Sequence, residues 1–282
     1  MSEPEVVFVG IGAIGRHMAR RLTTGGFPVT AVDPFPAARE WAAGEGIAAV
    51  ASISAAPRAR FVVVMVATPD QLDTLVTEAL AGRVSGQTWI VMSTVGPESV
   101  RQQGERLAAA GAGVLDVPVT GGTARAKTGE LTLFASGTGI DTVRPILERF
   151  GTVREVGADI GAGQAIKVVN QHLCSVHIVA AAEALALAGR LGLDQHRVLS
   201  LVEQGAGGSW MLSDRGPRML QGTDVEVTST IGIFVKDSGL VADAARASGA
   251  DTPLLDLARR RYRQAADAGL ATRDDSRVIE TY

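Results

Sequence analysis

The first 160 residues alternate between short apolar runs and amphipathic helical patterns. Phe61–Val66 (FVVVMV) is continuously apolar and rich in β-branched residues, as is typical of a parallel strand buried on both faces. Helical patterns near 70–81 and 97–110 separate such runs, and this alternation is typical of an open parallel sheet with right-handed crossovers. We therefore predict a doubly wound α/β domain over residues 1–160. Its predicted strands are Val6–Val9, Val29–Val32, Phe61–Val66, Trp89–Met92, Val114–Val117, Leu131–Ala135 and Val153–Val156.

The pattern changes after about Gly161. Residues 162–191 contain no proline and many alanines, which predicts one helix of roughly 30 residues, about 45 Å long. Further helical patterns follow near 194–204, 210–220, 231–248 and 253–268, and no strand pattern competes with them. We predict an all-α second domain over residues 161–282, joined to the first through the long helix.

A glycine-rich turn joins the first predicted strand to the first predicted helix. Its sequence is Gly10-Ile11-Gly12-Ala13-Ile14-Gly15. In this context Gly10 allows a tight turn, Gly12 leaves room for a pyrophosphate, and Gly15 lets the helix pack closely on the strand. The helix N-terminus then offers N–H groups and the positive end of its dipole to the phosphates. A glycine turn without a ligand is the alternative, but the context favours a Rossmann-type site for a dinucleotide.

Asp33 lies at the end of the second predicted strand, 18 residues after Gly15. An acid at this place can accept hydrogen bonds from both ribose hydroxyls of NAD, and its charge would repel the 2′-phosphate of NADP. Pro34 follows it, and the next arginine in the chain is Arg39. The sequence therefore predicts NAD rather than NADP, with an ordinary turn aspartate as the alternative interpretation.

Two later loops follow predicted strands at the edge where open α/β sheets bind their ligands. One contains Thr68 and Pro69, and the other contains Thr94. We expect these three residues to line the cofactor near its ribose and nicotinamide. Each threonine could instead cap the helix that follows it, because threonine is a favoured N-cap residue.

Charge and cysteine content exclude several classes of protein. The 30 acidic residues outnumber the 27 basic ones, so the chain lacks a positive field that would hold a nucleic acid. The one cysteine, Cys174, can form neither an intramolecular disulfide nor a cysteine-built metal site, and we expect no metal. Residues 1–5 lack the features of an export signal, and polar residues interrupt the longest apolar stretches. We expect a soluble, cytoplasmic protein that binds neither nucleic acid nor a membrane.

Four motifs together resemble one known family. They are Gly10–Leu22; Asp116-Val117-Pro118-Val119-Thr120-Gly121-Gly122 with Gly129-Glu130-Leu131-Thr132; residues 161–170 (GAGQAIKVVN); and Lys236-Asp237. In this order and spacing, across nearly the whole chain, they are similar to the β-hydroxyacid dehydrogenases. That family includes 3-hydroxyisobutyrate dehydrogenase, tartronate semialdehyde reductase and L-threonate dehydrogenase.

The resemblance implies a role for each matching residue. Lys167 matches the catalytic lysine, and Asn170 matches its partner near the substrate. Thr120–Gly122 matches the loop that binds the substrate carboxylate. Lys236 matches a lysine that approaches the nicotinamide end of the site. The family also implies a cleft between two domains and a homodimer or tetramer built through the helical domain.

Lys167 and Asn170 are three residues apart on the predicted long helix and therefore share a face. A lysine on an alanine- and valine-rich helix either extends its amine to solvent or holds it beside a ligand. The residues alone favour solvent, whereas the resemblance favours the ligand. To act as acid and base for an alcohol, a lysine needs its pKa brought nearer neutrality by desolvation or a neighbouring cation. Consecutive backbone N–H groups at Thr120-Gly121-Gly122 can cradle a carboxylate, although a simple glycine turn has the same sequence.

Two residues are open to more than one interpretation. Arg125 stands where the family often has glycine. It is either a surface substitution or a contact for a longer or more polar acid, as in sugar-acid members of the family. Trp210 follows the glycine-rich segment 205–208 and either forms a wall of the substrate pocket or belongs to the core. We include Trp210 among the candidate substrate-binding residues.

These observations predict an NAD-dependent oxidoreductase that interconverts a short 3-hydroxy acid and its aldehyde or keto acid. The expected acid is 3-hydroxyisobutyrate-, glycerate- or threonate-like, and the departure at Arg125 favours a hydroxylated one. An imine reductase of the same architecture is the nearest alternative, but those enzymes usually replace the lysine and prefer NADPH. A decarboxylating 6-phosphogluconate enzyme needs a longer helical domain. A dinucleotide-binding sensor without turnover is the alternative from another class, and intact Lys167 and Asn170 favour the enzyme.

Overall fold

The computed structural model describes residues 5–282 and divides the chain into two compact units. The first unit ends at Lys167, and the second begins at Val168. The predicted domain boundary between residues 160 and 161 stays a prediction. The expectation that the chain begins without an export signal concerns mainly residues 1–4, which lie outside the described residues.

The described part of the first unit contains one sheet of nine strands. Their apolar, β-branched runs favour strands because such side chains pack well on a pleated surface. The strands are β1 (Val6–Val9), β2 (Val29–Val32), β3 (Ala48–Val50), β4 (Phe61–Val64), β5 (Thr88–Val91), β6 (Gly113–Asp116), β7 (Val119–Thr120), β8 (Leu131–Ser136) and β9 (Gly151–Gly157).

Six strands run parallel in the order β3-β2-β1-β4-β5-β6. The chain begins in the middle of this sheet and extends it first to one side and then to the other. The strand order therefore reverses between β1 and β4, and this reversal is the place where open α/β sheets bind ligands.

The far end of the sheet differs from the all-parallel prediction. β8 pairs antiparallel with both β6 and β7, whereas β9 pairs parallel with β8. Residues 121–130 alone connect β7 to β8. This connection is shorter than the stretch of about a dozen residues that a parallel crossover requires, so the chain turns back instead.

Helices cover both faces of the sheet. Along β1, Val6 and Phe8 belong to one core together with Met18, whereas Val7 and Val9 belong to a second core on the other face. This two-sided burial confirms the predicted doubly wound α/β architecture. The helices are α1 (Gly15–Thr24), α2 (Pro36–Gly44), α3 (Pro69–Leu80), α4 (Pro97–Ala109), α5 (Gly122–Thr128) and α6 (Ile140–Leu147).

The second unit is helical, as predicted. Its core includes Tyr262, which stacks on Phe234 with 5.2 Å between ring centroids. The hydroxyl of Tyr262 donates to the carbonyl oxygen of Ser175 at 2.9 Å, so this buried polar group is satisfied. The helices are α7 (Ala162–Arg190), which begins in the first unit, α8 (Gln195–Val202), α9 (Trp210–Met219), α10 (Ile231–Ser248) and α11 (Pro253–Ala265).

By length and composition alone, α7 could cross a membrane. It has 29 residues, and an 18-residue window within it reaches a mean hydropathy of 1.5. The sequence predicts that polar residues interrupt the longest apolar stretches, and α7 contains such residues. Core helices of soluble proteins meet the same criterion, and 39% of this window is buried. α7 also carries Lys167, Asn170 and Glu183, side chains that are costly inside a bilayer.

Candidate active site

The glycine turn after β1 has the geometry that a phosphate-binding loop needs. Gly10 has a φ of +88°, and a Cβ there would clash with the carbonyl oxygen of Met65. A Cβ at Gly15 would clash with the carbonyl oxygen of Gly10. The turn itself therefore requires glycine at both positions.

Gly12 differs from its neighbours in the turn, because it is exposed and a Cβ there would have no neighbour within 4 Å. The fold does not require glycine at this position, whereas a ligand lying against the loop would. Ile14, the N-cap residue of α1, supplies no side-chain hydrogen bond to the helix, and the first turn of α1 contains no acid. A phosphate can take the place of such a cap, so the residues present fit a dinucleotide.

Asp33 ties the end of β2 to the glycine turn. Its Oδ2 accepts a hydrogen bond from Ile11 N at 3.0 Å, and its Oδ1 accepts one from Phe35 N at 2.9 Å. Because a carboxylate has about four acceptor positions, each oxygen keeps capacity for a ribose hydroxyl. Arg39 Nη1 donates to the carbonyl oxygens of Asp33 and Pro34, at 2.8 Å each. The guanidinium of Arg39 therefore lies beside the turn that follows β2.

Thr68 and Thr94 differ in their relation to the helix that follows each of them. Thr68 is the N-cap residue of α3: its hydroxyl oxygen accepts from Gln71 N at 3.2 Å, and Pro69 begins the helix. The capping interpretation is therefore correct for Thr68, and its cofactor role stays a prediction. The N-cap residue of α4 is Gly96 rather than Thr94, so capping does not account for Thr94.

Thr120–Gly122 forms a tight backbone turn between β7 and α5. Gly121 and Gly122 have φ values of +132° and +69°, which other residues disfavour. A Cβ at Gly121 would lie 2.9 Å from both Cβ and Cδ of Arg125. The side chain of Arg125 therefore packs across Gly121, at the loop for which carboxylate binding is predicted.

Lys167 lies in the second turn of α7 and is buried, with an exposed fraction of 6%. Lysine is rarely buried to this extent, because removing an ammonium from water is costly. The alternative in which its amine extends to solvent does not fit this burial. Asn170 follows three residues later on the same helix and is half-buried.

Asn170 and Lys236 belong to one chain of hydrogen-bonded side chains in the second unit. Asn170 Nδ2 donates to Gln171 Oε1 at 2.9 Å, and Gln171 Nε2 donates to Asp237 Oδ2 at 2.6 Å. Lys236 Nζ lies 2.7 Å from Asp237 Oδ1. Asn170 Nδ2 also contacts Cys174 Sγ at 3.4 Å. Gln171 and Asp237 thus couple two predicted site residues, a role that the sequence analysis does not assign to them.

A buried carboxylate at the end of β6, Asp116, holds the start of α7. Its Oδ2 accepts hydrogen bonds from Gly161 N and Gln164 N, both at 3.0 Å, and from Ser136 Oγ at 3.2 Å. Burial raises the pKa of this carboxyl, and the hydrogen bonds from Gln164, Ser136 and Gly161 oppose that effect. In the sequence Asp116 belongs to a family motif, but its contact with α7 is visible only in the structure.

Trp210 begins α9, directly after the N-cap residue Ser209. It is 48% exposed, and its ring lies 5.8 Å from the guanidinium carbon of Arg215. The core interpretation of Trp210 does not fit this exposure, and its role in a substrate pocket stays a prediction. Over residues 5–282, no group of three or more histidine, cysteine or acidic side chains could hold a metal ion.

The chain matches models of two protein families. Residues 5–168 match the NAD-binding domain of 6-phosphogluconate dehydrogenase. Residues 161–282 match a domain described as NAD-binding of NADP-dependent 3-hydroxyisobutyrate dehydrogenase. The two matches together span every residue that the structure describes.

Individual relatives match over nearly their full length. An L-threonate dehydrogenase from Cupriavidus necator is 36% identical over 281 residues, covering 97% of this chain and 94% of that protein. An NAD-dependent L-serine dehydrogenase from Pseudomonas aeruginosa is 31% identical, with coverage of 99% and 97%. The crystal structure of a 3-hydroxyisobutyrate dehydrogenase from Salmonella typhimurium is 33% identical, has a TM-score of 0.90, and is matched over 99% of both chains.

Proposed function

Because the chain belongs to the β-hydroxyacid dehydrogenase family, we propose that it oxidises a short hydroxylated 3-hydroxy acid with NAD and that Lys167 is its general base. The family consists of oxidoreductases that act on a CH–OH group, and this chain is one of them. The observation that carries the proposal is the burial of Lys167 in the second turn of α7, where a surface lysine would be solvated.

Lys167 has the chemistry to manage the alcohol proton. A nicotinamide cofactor would supply the hydride acceptor for the carbinol carbon, and the hydroxyl proton would then need a separate acceptor. The neutral amine of Lys167 accepts that proton, and in the reverse direction its ammonium returns the proton to the carbonyl oxygen. The Nδ2 of Asn170 donates to Gln171 and Cys174, which leaves its Oδ1 as an acceptor that can orient Lys167 or a second hydroxyl of the substrate.

The substrate carboxylate binds at Thr120–Gly122 in this proposal, through the backbone N–H groups of the turn and the threonine hydroxyl. Arg125 packs across Gly121 and so brings a cation to the same loop. Guanidinium groups bind carboxylates and polar acids through several donors at once. Together with the similarity to an L-threonate dehydrogenase, Arg125 supports a threonate- or glycerate-like acid. Trp210, which is half exposed, is the proposed wall of the substrate pocket.

The preference for NAD over NADP rests on Asp33. Its carboxylate lies at the glycine turn, has acceptor capacity for ribose hydroxyls, and carries a charge that opposes a 2′-phosphate. Thr68, Pro69, Thr94 and Lys236 complete the proposed set of cofactor-binding residues. The NAD-dependent L-serine dehydrogenase among the relatives is consistent with this preference.

We also propose a soluble, cytoplasmic homo-oligomer, either a dimer or a tetramer. Val169, Leu173 and Leu187 are exposed by 62%, 51% and 57%, and their spacing places them on one face of α7. Two copies of this chain would bury this apolar face against each other in a symmetric pair. Light scattering in solution tests the mass: a multiple of 29.2 kDa is expected, and a monomer would contradict the proposal.

A substrate panel with both coenzymes tests the proposed reaction. The acids are L-threonate, glycerate, L-serine and 3-hydroxyisobutyrate, each with NAD and with NADP, and formation of NADH or NADPH is followed by absorbance. We expect the highest kcat/KM with NAD and a polyhydroxylated acid. The absence of coenzyme reduction with every acid would contradict the proposed function and favour a dinucleotide-binding sensor. Faster reduction of a cyclic imine with NADPH would favour an imine reductase.

A further inference from the structure

Gln164 connects α7 to two strand ends through one buried side chain. Its Oε1 accepts hydrogen bonds from Val95 N and Gly96 N, both at 3.0 Å. Its Nε2 donates to the carbonyl oxygen of Ser93 at 2.9 Å and to Asp116 Oδ1 at 3.1 Å. The residue has no exposed surface, and the two acceptor and two donor positions of its amide are all used inside the protein.

The backbone N–H groups at the start of α7 also form hydrogen bonds with side chains of the sheet. Asp116 accepts from the N–H groups of Gly161 and Gln164, and Gly163 N donates to Ser136 Oγ at 3.0 Å. A Cβ at Gly163 would lie 2.9 Å from the carbonyl oxygen of Asp116, so the helix meets the strand ends at backbone contact. Side chains from β6 and β8 thus accept hydrogen bonds from N–H groups that every helix leaves unpaired at its start.

We propose that Gln164 and Asp116 are positioning residues that fix Lys167 relative to the neighbouring site segments. One segment is the loop after β5, which contains Thr94, and the other is the strand end that leads into Thr120–Gly122. Lys167 lies three residues after Gln164 on the same helix, so a shift or rotation of this first turn moves its amine directly. Neither positioning residue touches the reacting atoms, and the proposal rests on the proposed role of Lys167.

A purely structural role is the competing explanation, since any fully bonded buried amide stabilises a fold. Gln103 on α4 provides a matched control. It is also buried, and its Nε2 donates to Asp73 Oδ1 at 3.0 Å while its Oε1 accepts from Arg106 at 2.6 Å. Removing this amide costs two part-buried hydrogen bonds, neither of which involves the start of α7.

The experiment compares Gln164→Met with Gln103→Met in the full-length enzyme. Thermal unfolding, kcat, KM for the best acid and the pH profile of kcat are measured for both. Gln164→Met is expected to lower kcat by about 10- to 100-fold, because a misplacement of roughly 1 Å at a reacting group costs this much. Its KM should change by less than about threefold, and the inflection of its pH profile should move. Gln103→Met should also lower the unfolding temperature, by a smaller amount, and should leave kcat and the pH profile unchanged.

Asp116→Asn is the second variant, and it tests the positioning role if Gln164→Met does not fold. It keeps the side-chain size but presents an amide where Gln164 Nε2 needs an acceptor, so kcat should fall in the same way. Folded Gln164→Met or Asp116→Asn with wild-type kcat and pH profile would overturn the proposal. So would an equal loss of kcat in Gln103→Met. Wild-type inactivity toward every acid would instead overturn the proposed function on which the positioning role rests.

Discussion

Ile11 N donates a hydrogen bond to Asp33 Oδ2 at 3.0 Å, across 22 residues of sequence. This contact joins the glycine turn after β1 to the acid after β2, the two parts of the predicted dinucleotide signature. Arg39 Nη1 donates to the carbonyl oxygen of Asp33, in the turn that follows β2. An acid that opposes a 2′-phosphate and a cation that would attract one therefore lie close together, and we propose that the acid selects NAD.

Asp33→Ser should shift the enzyme toward NADP. The substitution removes the charge that repels a 2′-phosphate and leaves Arg39 to bind it. We expect the ratio of kcat/KM for NADP to that for NAD to rise by about tenfold or more, which corresponds to about 1.4 kcal/mol. Asp141→Ser, at an exposed acid of α6, is the control and should leave the ratio unchanged. An unchanged ratio in Asp33→Ser would show that this acid does not select the coenzyme.

Gly12→Val should weaken NAD binding, whereas Gly15→Ala should destabilise the fold. Gly12 is exposed with open space around it, so Gly12→Val should fold normally but bind NAD at least about tenfold more weakly, because the side chain fills the ligand's place. Gly15→Ala introduces a clash with backbone and should lose about 1–3 kcal/mol of unfolding free energy. Thermal unfolding and NAD titration measure both effects. Unchanged NAD affinity in Gly12→Val would mean that phosphates bind elsewhere.

The sequence predicts the main elements because most of them are long enough to show a pattern. The buried strand β4 and the 29-residue helix α7 are examples. The elements α2, β3, β7 and α5 are missed, and they contain nine, three, two and seven residues. Elements as short as β3, β7 and α5 give too few repeats of a helical or strand period to detect. In α2 only Ala42 is fully buried, so its apolar face is weakly marked in the sequence.

Spacing along the sequence is enough to predict which acid meets the glycine turn. Asp33 is recognised by its distance from the glycine turn, and the structure brings the two into contact. The partners of Gln164 lie 48 to 71 residues away in sequence, so no local pattern reveals them. The same holds for Gln171 and Asp237, which are 66 residues apart. These contacts depend on which strand ends and helices the fold brings together.

Arg125→Ala should narrow the range of acids that the enzyme accepts. If Arg125 contacts the polar part of the substrate, its loss should lower kcat/KM for L-threonate by about tenfold or more, since one charge-assisted hydrogen bond contributes about 1.5–3 kcal/mol. The same constant for 3-hydroxyisobutyrate should change by less than about threefold. Lys127→Ala removes another exposed basic residue of α5 and should alter neither constant. Equal losses for both acids would contradict a role in substrate choice.

Arg215→Leu should strongly destabilise the protein. Arg215 Nε and Nη2 donate to the two oxygens of Asp275 at 3.0 and 2.9 Å, and both residues are buried. Without Arg215 the buried carboxylate loses its hydrogen-bonded partner and keeps only Arg218, whose Nη2 lies 3.7 Å from Asp275 Oδ1. We expect a cost of about 3–5 kcal/mol in chemical denaturation. Arg246→Leu, which breaks an exposed pair with Asp243, should cost less than about 1 kcal/mol.

The loss in Arg215→Leu should depend on pH. Burial raises the pKa of Asp275, and Arg215 opposes that effect. Removing Arg215 raises the pKa of Asp275 further, so folding then favours the protonated acid. The stability of the variant should therefore fall as pH rises from about 4, the ordinary value for aspartate, toward neutrality. A loss independent of pH would contradict this account.

Single-turnover hydride transfer by Lys167→Ala, at saturating NAD and with the best acid of the panel, tests the central claim most directly. We predict a rate about 10²- to 10⁴-fold below wild type with NAD affinity unchanged, and partial recovery when a small primary amine is added. A wild-type rate in this variant would contradict the assignment of Lys167 as the general base.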